Sequence, residues 1–434
     1  MPRALQLVGW RLRPGPLLER CQRRYGDMFT LHPIPRETAV VLSHPDAVQQ
    51  VFTGDARLLH AGEANVVLLP LLGRHSVLLL DEDPHMTQRK LMLPAFHGKR
   101  VARYEELIVA ATEREIERWP AREPISLIGR MQAITLEVIV QAVFGVRGET
   151  RQAEMRERLR DTLDMTGDPR SVLALLTVGP ERMFKWRYFQ RELDPVNELV
   201  LDEIRRRRSE TDLEQRDDVL SMLLGAKHED GRGLSDAELR DELMTLLVAG
   251  HETTATALAW SVERLVRHPE KLLRLTEEAA AGEAAYADAV AKETLRLRPV
   301  IPMVVRKLME PMEIGGRLLP AGVSVAPSIY LMHRRPDVYP DPARFSPERF
   351  LDRPAGTYTW IPFGGGVRRC LGATFALFEM RVVLSALVTR LRLRPAEATA
   401  ERVSRRTPIT LAPSRGALVV VEPLEREPAA VVPA

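Results

Sequence analysis

Apolar residues recur every three or four positions from Pro84 to about Leu295, which predicts a chain dominated by helices with one buried face. Within Tyr104–Trp119, Leu107, Ile108, Ala111 and Ile116 gather on one side, and a second apolar helix is expected over Met131–Phe144, ended by Gly145. The strongest start signal is Ser235-x-x-Glu238, a capping box in which hydroxyl and carboxylate satisfy free backbone donors reciprocally. The pattern continues to His268, where Pro269 stops it; at ~1.5 Å per residue that is about 50 Å of helix, enough to cross the molecule. Further helices are expected over Ala284–Leu297 and Leu371–Leu391. Arg205–Arg208 reads as a solvated helix end. Residues 165–190 are apolar through Met165, Leu173, Leu175, Leu176, Met183, Phe184 and Trp186, and give no clean period.

Short β-prone runs supply the rest. Phe29-Thr30-Leu31 and Ala39–Leu42, set off by His32-Pro33-Ile34-Pro35, predict a small sheet. Glu313-Ile314-Gly315-Gly316-Arg317 and Pro320-Ala321-Gly322 carry hairpin turns. The expected fold class is mainly α with a minor β lobe. No repeat or linker divides the chain, so residues 1–24 are taken as a basic N-terminal segment, 25–423 as a single domain and 424–434 as a disordered tail.

Composition narrows the function. There are 62 basic and 59 acidic side chains, intermixed, with a formal net charge of +3, so no nucleic-acid partner is indicated. The two cysteines, Cys21 and Cys370, make no disulfide framework and suit a reducing cytoplasm. The first 24 residues carry six arginines (Arg3, Arg11, Arg13, Arg20, Arg23 and Arg24), and no run approaches the ~20 apolar residues of a spanning helix. Pro14-Gly15-Pro16 is expected to form a turn rather than begin an anchor. A cytoplasmic monomer without a transmembrane anchor is the expectation.

An isolated cysteine is ordinarily a small buried hydrophobe. Cys370 lies instead in Phe363-Gly364-Gly365-Gly366-Val367-Arg368-Arg369-Cys370-Leu371-Gly372, ahead of a predicted helix. Glycines there permit positive φ and close approach to a flat ligand, and free N–H groups at a helix start favour a thiolate. Phe363, Gly366, Arg368, Cys370 and Gly372 match FxxGxRxCxG, and the segment resembles the haem-binding loop of the cytochrome P-450 superfamily. Glu293-Thr294-Leu295-Arg296 and Pro347-Glu348-Arg349-Phe350 resemble that family's ExxR and PERF motifs. The resemblance implies a buried structural network of Glu293, Arg296 and Arg349. Ala249-Gly250-His251-Glu252-Thr253-Thr254 is similar to the family's oxygen-facing segment, in which Gly250 would loosen the helix, Thr253 would face the oxygen site and Glu252 would relay protons. His85 and Arg89 resemble the HxxxR pair for a haem propionate, and Arg306 matches the strand arginine for the other.

The resemblance covers roughly Gly15 to Val421. It implies the cytochrome P-450 fold, with haem b between the long helix and the cysteine loop, the Cys370 thiolate as axial iron ligand, and Ala249, Gly250, Phe363, Gly364, Arg368 and Gly372 around the cofactor. A thiolate donates electron density and favours O–O cleavage, so the implied activity is monooxygenation. One oxygen atom of O2 would enter a C–H bond or double bond. No reductase is expected in the chain. Electrons from NAD(P)H would arrive through a ferredoxin and its reductase, with Arg100, Arg103, Arg368 and Arg369 as a candidate basic docking face. Leu246, Leu247, Val300, Met303 and Val304, with segments 60–80, 165–190 and 408–411, are candidate pocket positions for an apolar guest such as a fatty acid, alkane or terpenoid. The alternatives are a peroxide-driven or C–C-coupling haem-thiolate enzyme, disfavoured by Glu252-Thr253, and a haem sensor, for which no signalling segment is visible. A zinc or nucleotide protein would require ligand clusters that the sequence lacks.

Overall fold

The computed structural model describes residues 3–32, 38–96, 99–167, 177–407 and 409–424. Its axis is the helix Asp236–Leu265, capped by Ser235: the Ser235 hydroxyl accepts from the Glu238 N–H at 3.2 Å, and the Glu238 carboxylate accepts from the Ser235 N–H at 2.8 Å. The helix stops at Leu265, three residues before His268, because Arg267 and His268 make turn hydrogen bonds to Arg264 and Leu265. From Thr254 onward it is buried on all sides, and it packs closely on the apolar helix Leu127–Ala142. Gly250 permits the approach, since a Cβ there would stand 3.2 Å from the Ile139 Cδ1 atom. The helix is continuous through Gly250, and the close packing on Ile139 is what glycine visibly allows there.

The central core joins this pair to the helices Glu105–Ile116, Ala285–Leu297 and Ala373–Val388 through Ile108, Ile134, Leu258, Val290 and Val383, all buried. Each fully buried aliphatic side chain contributes about 1.5–3 kcal/mol. The β lobe holds a five-stranded sheet in the order Met28–Leu31, Ala39–Leu42, Ser324–Pro327, Arg306–Leu308 and Leu59–His60. Only the Ala39–Leu42/Ser324–Pro327 pair is parallel, with Val40 opposite Val325. Gly315 and Gly316, at φ 57° and 73°, turn the hairpin that pairs Met312–Ile314 with Arg317–Leu319.

Several expectations are corrected. Pro14-Gly15-Pro16 opens the helix Pro14–Tyr25, proline at the first position having a preset φ and no N–H to satisfy. Leu17, Leu18 and Cys21 of that helix are buried against Phe29, Val41 and Tyr330, so the basic segment is packed on the β lobe. The Arg205–Arg208 run is not a purely solvated end: Arg207 is fully buried and donates to Glu203, Asp218, Ser221 and the Phe144 and Gly145 carbonyls. The second apolar helix starts at Leu127, four residues early, and Leu391 belongs to a strand, Leu391–Pro395. Within 165–190, Met183 is buried and Trp186 exposed, whereas Leu173, Leu175 and Leu176 lie outside the described residues, as do Pro408 and residues 425–434. Among the described residues, no helix is long and apolar enough to cross a membrane.

Candidate active site

The cysteine loop is a tight backbone structure. The Cys370 N–H donates to the Phe363 carbonyl at 3.0 Å, and the Gly364 N–H to Ile361 at 3.0 Å. Gly364 and Gly366 take φ of 68° and 66°. A Cβ on Gly365 would overlap the Phe52 ring, and one on Gly366 the Phe52 carbonyl. These glycines therefore seat the loop on the helix Pro45–Thr53, a role in packing that the sequence did not suggest. Gly372 differs: its φ is −83° and no protein atom lies within 4 Å of a Cβ there, so neither conformation nor packing demands glycine. Phe363 packs edge-on against Trp360 at 5.9 Å.

Cys370 precedes the helix Ala373–Val388 by three residues instead of opening it. Its thiol keeps accessible surface although protein surrounds it closely. That crowding pushes the thiol pKa up, opposed by a backbone hydrogen bond from Gly372 and by the charges of Arg89 and Arg369.

Arg89 links Cys370 to a basic cluster in which helix and sheet bring three arginines within electrostatic reach of His85. His85 and Arg89 lie one turn apart on the helix Glu82–Met92, Arg306 starts a central strand, and Arg368 comes from the loop itself. Burial first, then Arg368, Arg89 and Arg306, pushes His85 down to about 3, so its ring is neutral. Burial also lowers Arg306 and Arg368 to about 10. Asp81 pairs with Arg368, whereas among the described residues no carboxylate pairs with Arg89 or Arg306, and the 6% exposed Arg306 donates only to its own Val305 carbonyl. The charge of Asp81 is shared by Arg368 and Arg306, while Arg89 has no carboxylate among the described residues, which leaves cationic charge to be balanced. Together with an accessible thiol, that donor set fits an iron porphyrin bearing two propionates. Among the described residues, no group of three or more His, Cys, Asp or Glu could hold a metal directly.

Arg368 also donates to the Val77 and Leu80 carbonyls. It points inward and cannot belong to an external basic face. Arg103 is paired with Asp217, Arg369 is exposed, and the Arg100 side chain lies outside the described residues. Asp81, which had no motif to announce it, also accepts from the Ala61, Gly62 and Glu63 N–H groups and so fixes the loop around His60–Asn65.

On the central helix, Leu246, Ala249, Gly250 and Thr253 share one face and keep accessible surface. The Thr253 hydroxyl donates to the Ala249 carbonyl at 2.6 Å. Glu252 turns away from it: its carboxylate accepts from the Thr410 hydroxyl at 2.9 Å and lies 3.8 Å from Arg406. Burial raises the Glu252 pKa, with Thr410 and Arg406 opposing. Arg406 carries no sequence signal, and Thr410 was offered only as part of the 408–411 pocket segment, not as a partner of Glu252. Leu247 is fully buried in the helical core and does not line a pocket; a neighbour of Leu246 at helical spacing must face elsewhere. Val300 is 6% exposed, while Met303 and Val304 are partly buried against the β lobe.

Behind the loop, Arg296 binds Glu293 with two hydrogen bonds of 2.7 and 2.8 Å, and Arg349 reaches the same carboxylate at 3.3 Å. Arg296 also donates to the His333 carbonyl at 2.7 Å, and the neutral His333 ring accepts the Ile361 N–H at 2.9 Å. Burial pushes His333 well below its ordinary pKa, so it stays an acceptor. This relay fastens the network to the start of the cysteine loop.

Residues 4–420 match the cytochrome P450 family model. A cytochrome P450 135B1 of Mycobacterium tuberculosis is 45% identical over 410 residues, 93% of this chain and 86% of that one. A cytochrome P450 135A1 of the same species is 38% identical, covering 98% and 95%. Among solved structures, a cyanobacterial CYP120A1 with retinoic acid bound aligns with a TM-score of 0.81 at 24% identity, over 95% of both chains.

Proposed function

Because this chain belongs to the cytochrome P450 family and is a haem-thiolate monooxygenase, we propose that Cys370 would supply the thiolate that holds its haem iron and that its substrate is an apolar small molecule. The observation that carries the ligand assignment is the thiol's setting: an exposed cysteine backed by the Gly372 N–H and flanked by Arg89 and Arg369, with Arg89 in turn beside His85. Cys21, the other cysteine, is packed in the β lobe with Phe29 and Leu31. Haem supplies dioxygen activation when bound.

The chain's own residues hold and shield it. Arg89, Arg306, Arg368 and the neutral His85 ring would hold the propionates, and Phe363 would keep water from the sulfur. Thr253 offers a hydroxyl on the accessible face of the central helix, and Glu252 supplies protons from a carboxylate held by Thr410 and Arg406. The apolar guest lies against Leu246, Ala249, Met303 and Val304, which bring no ionic group. Electrons reach the site from NAD(P)H through a separate ferredoxin and its reductase. The Glu252–Thr253 pair favours dioxygen over peroxide as the oxidant.

The test is the ferrous–CO spectrum of the purified protein and of Cys370→His. The wild type is expected to give the strongly red-shifted Soret band of a thiolate ligand, and the variant to lose it. An imidazole-type band in the wild type would overturn the assignment.

A further inference from the structure

Away from the cysteine loop, the helices Glu105–Ile116, Leu127–Ala142 and Glu149–Gly167 border an open polar cleft of about 380 Å³. That is within the ~300–1,000 Å³ range of small-molecule sites. Four arginines line it: Arg114 and Arg118 from the end of the first helix and the turn after it, and Arg156 and Arg160 from the third. Its carboxylates do not balance them. Glu137 serves both Arg114 and Arg156 and also accepts from Gln141. Glu115 is held by the Trp119 ring N–H at 3.1 Å and by Arg130 at 3.2 Å, leaving Arg118 at 3.7 Å, beyond hydrogen-bonding distance. Glu149 begins the third helix, where free N–H groups favour a carboxylate. Among the described residues, Arg160 has no acidic partner.

We propose that this cleft is an anion site for a phosphate or diphosphate group, held by Arg118 and Arg160 with Arg114 and Arg156 behind them. Guanidinium forks converging from different helices suit a ligand with many acceptor oxygens better than they suit a single carboxylate. Among the described residues no aromatic side chain lines the cleft, so a nucleotide base has nothing there to stack on and the phosphate part alone is recognised. Crowding of like charge supports the assignment: after burial, Arg118, Arg114 and Arg160 are what disfavour the charged form of Arg156, and a bound anion would relieve that repulsion. The site involves none of the cofactor or proton-handling residues and is independent of the substrate reading.

Calorimetric titration of the haem-loaded protein with pyrophosphate tests it. Saturable 1:1 binding is expected, not reproduced by chloride at matched ionic strength and weakened at least tenfold in Arg118→Gln/Arg160→Gln. Both side chains are exposed without a carboxylate hydrogen bond, so this variant is expected to keep the wild-type Soret spectrum and melting temperature. Arg160→Lys should retain part of the affinity, keeping charge but losing the fork. The proposal fails if pyrophosphate binds no better than chloride, or if the double variant binds as tightly as the wild type.

Discussion

Glu252 and Thr253 are adjacent in sequence, yet their side chains serve different surroundings. Thr253 closes on the preceding turn at the Ala249 carbonyl, on the accessible face. Glu252 is held at the side of the helix by Thr410 and Arg406. Burial raises its pKa and the Thr410 hydroxyl lowers it, so removing that donor must raise it further. If Glu252 relays protons as a carboxylate, turnover rises with pH as it ionises. Thr410→Val is then expected to move the acidic limb of the kcat profile to higher pH, for any apolar compound that perturbs the haem spectrum, and Thr410→Ser to restore it. An acidic limb that stays in place in Thr410→Val would mean that Glu252 is not the titrating group. Thr410 falls in the 408–411 segment offered for the pocket, but its bond to Glu252 was not legible there because that partner lies 158 positions away.

Among elements, the cysteine loop and the helix Pro45–Thr53 form one unit. Gly365 and Gly366 are pressed on Phe52, whereas a Cβ on Gly372 would meet no neighbouring protein atom within 4 Å. Gly366→Ala would add both a left-handed φ and an overlap with the Phe52 carbonyl, on the order of 2 kcal/mol or more. It is expected to purify with at most a small fraction of wild-type haem, measured as Soret absorbance per protein. Gly372→Ala is expected to unfold at wild-type denaturant concentration when both proteins are haem-free. Equal haem content in Gly366→Ala and wild type would show that the loop is not set by this contact. The element starts that carried local chemistry, such as the Ser235 capping box, were legible in the sequence, since both partners lie within one turn. The Pro14–Tyr25 helix was missed because a Pro-Gly-Pro run signals a turn unless packing against Tyr330 and Phe29 rewards a helix.

At the scale of the whole molecule, two buried glutamates couple stability to pH. Glu242 accepts the Val77 N–H at 2.8 Å, while Glu379 has an oxygen without a partner, and burial pushes each up to about 8. Their folded pKa values exceed the ordinary 4.5, so the native state binds protons more tightly than the unfolded one. The contribution is therefore full below 4.5, declines as pH rises to about 8, and is constant above. Each group accounts for at most about 1.4 kcal/mol per pH unit across that window. Glu379→Gln is expected to lose less stability than the wild type between pH 5 and 8 in denaturant titrations. Parallel stability curves for the two proteins over that range would refute it. By itself, the sequence determined the mainly helical class, the long capped helix, the family and the loop motif, because periodicity, caps and short glycine-rich spacings are local. Only the tertiary structure decided that Arg368 and Arg207 point inward, that Leu247 is core while Leu246 is accessible, and that Asp81, His333, Thr410 and Phe52 support the site. Those outcomes depend on partners tens to hundreds of residues away, where burial and charge, not local spacing, set the role of each side chain.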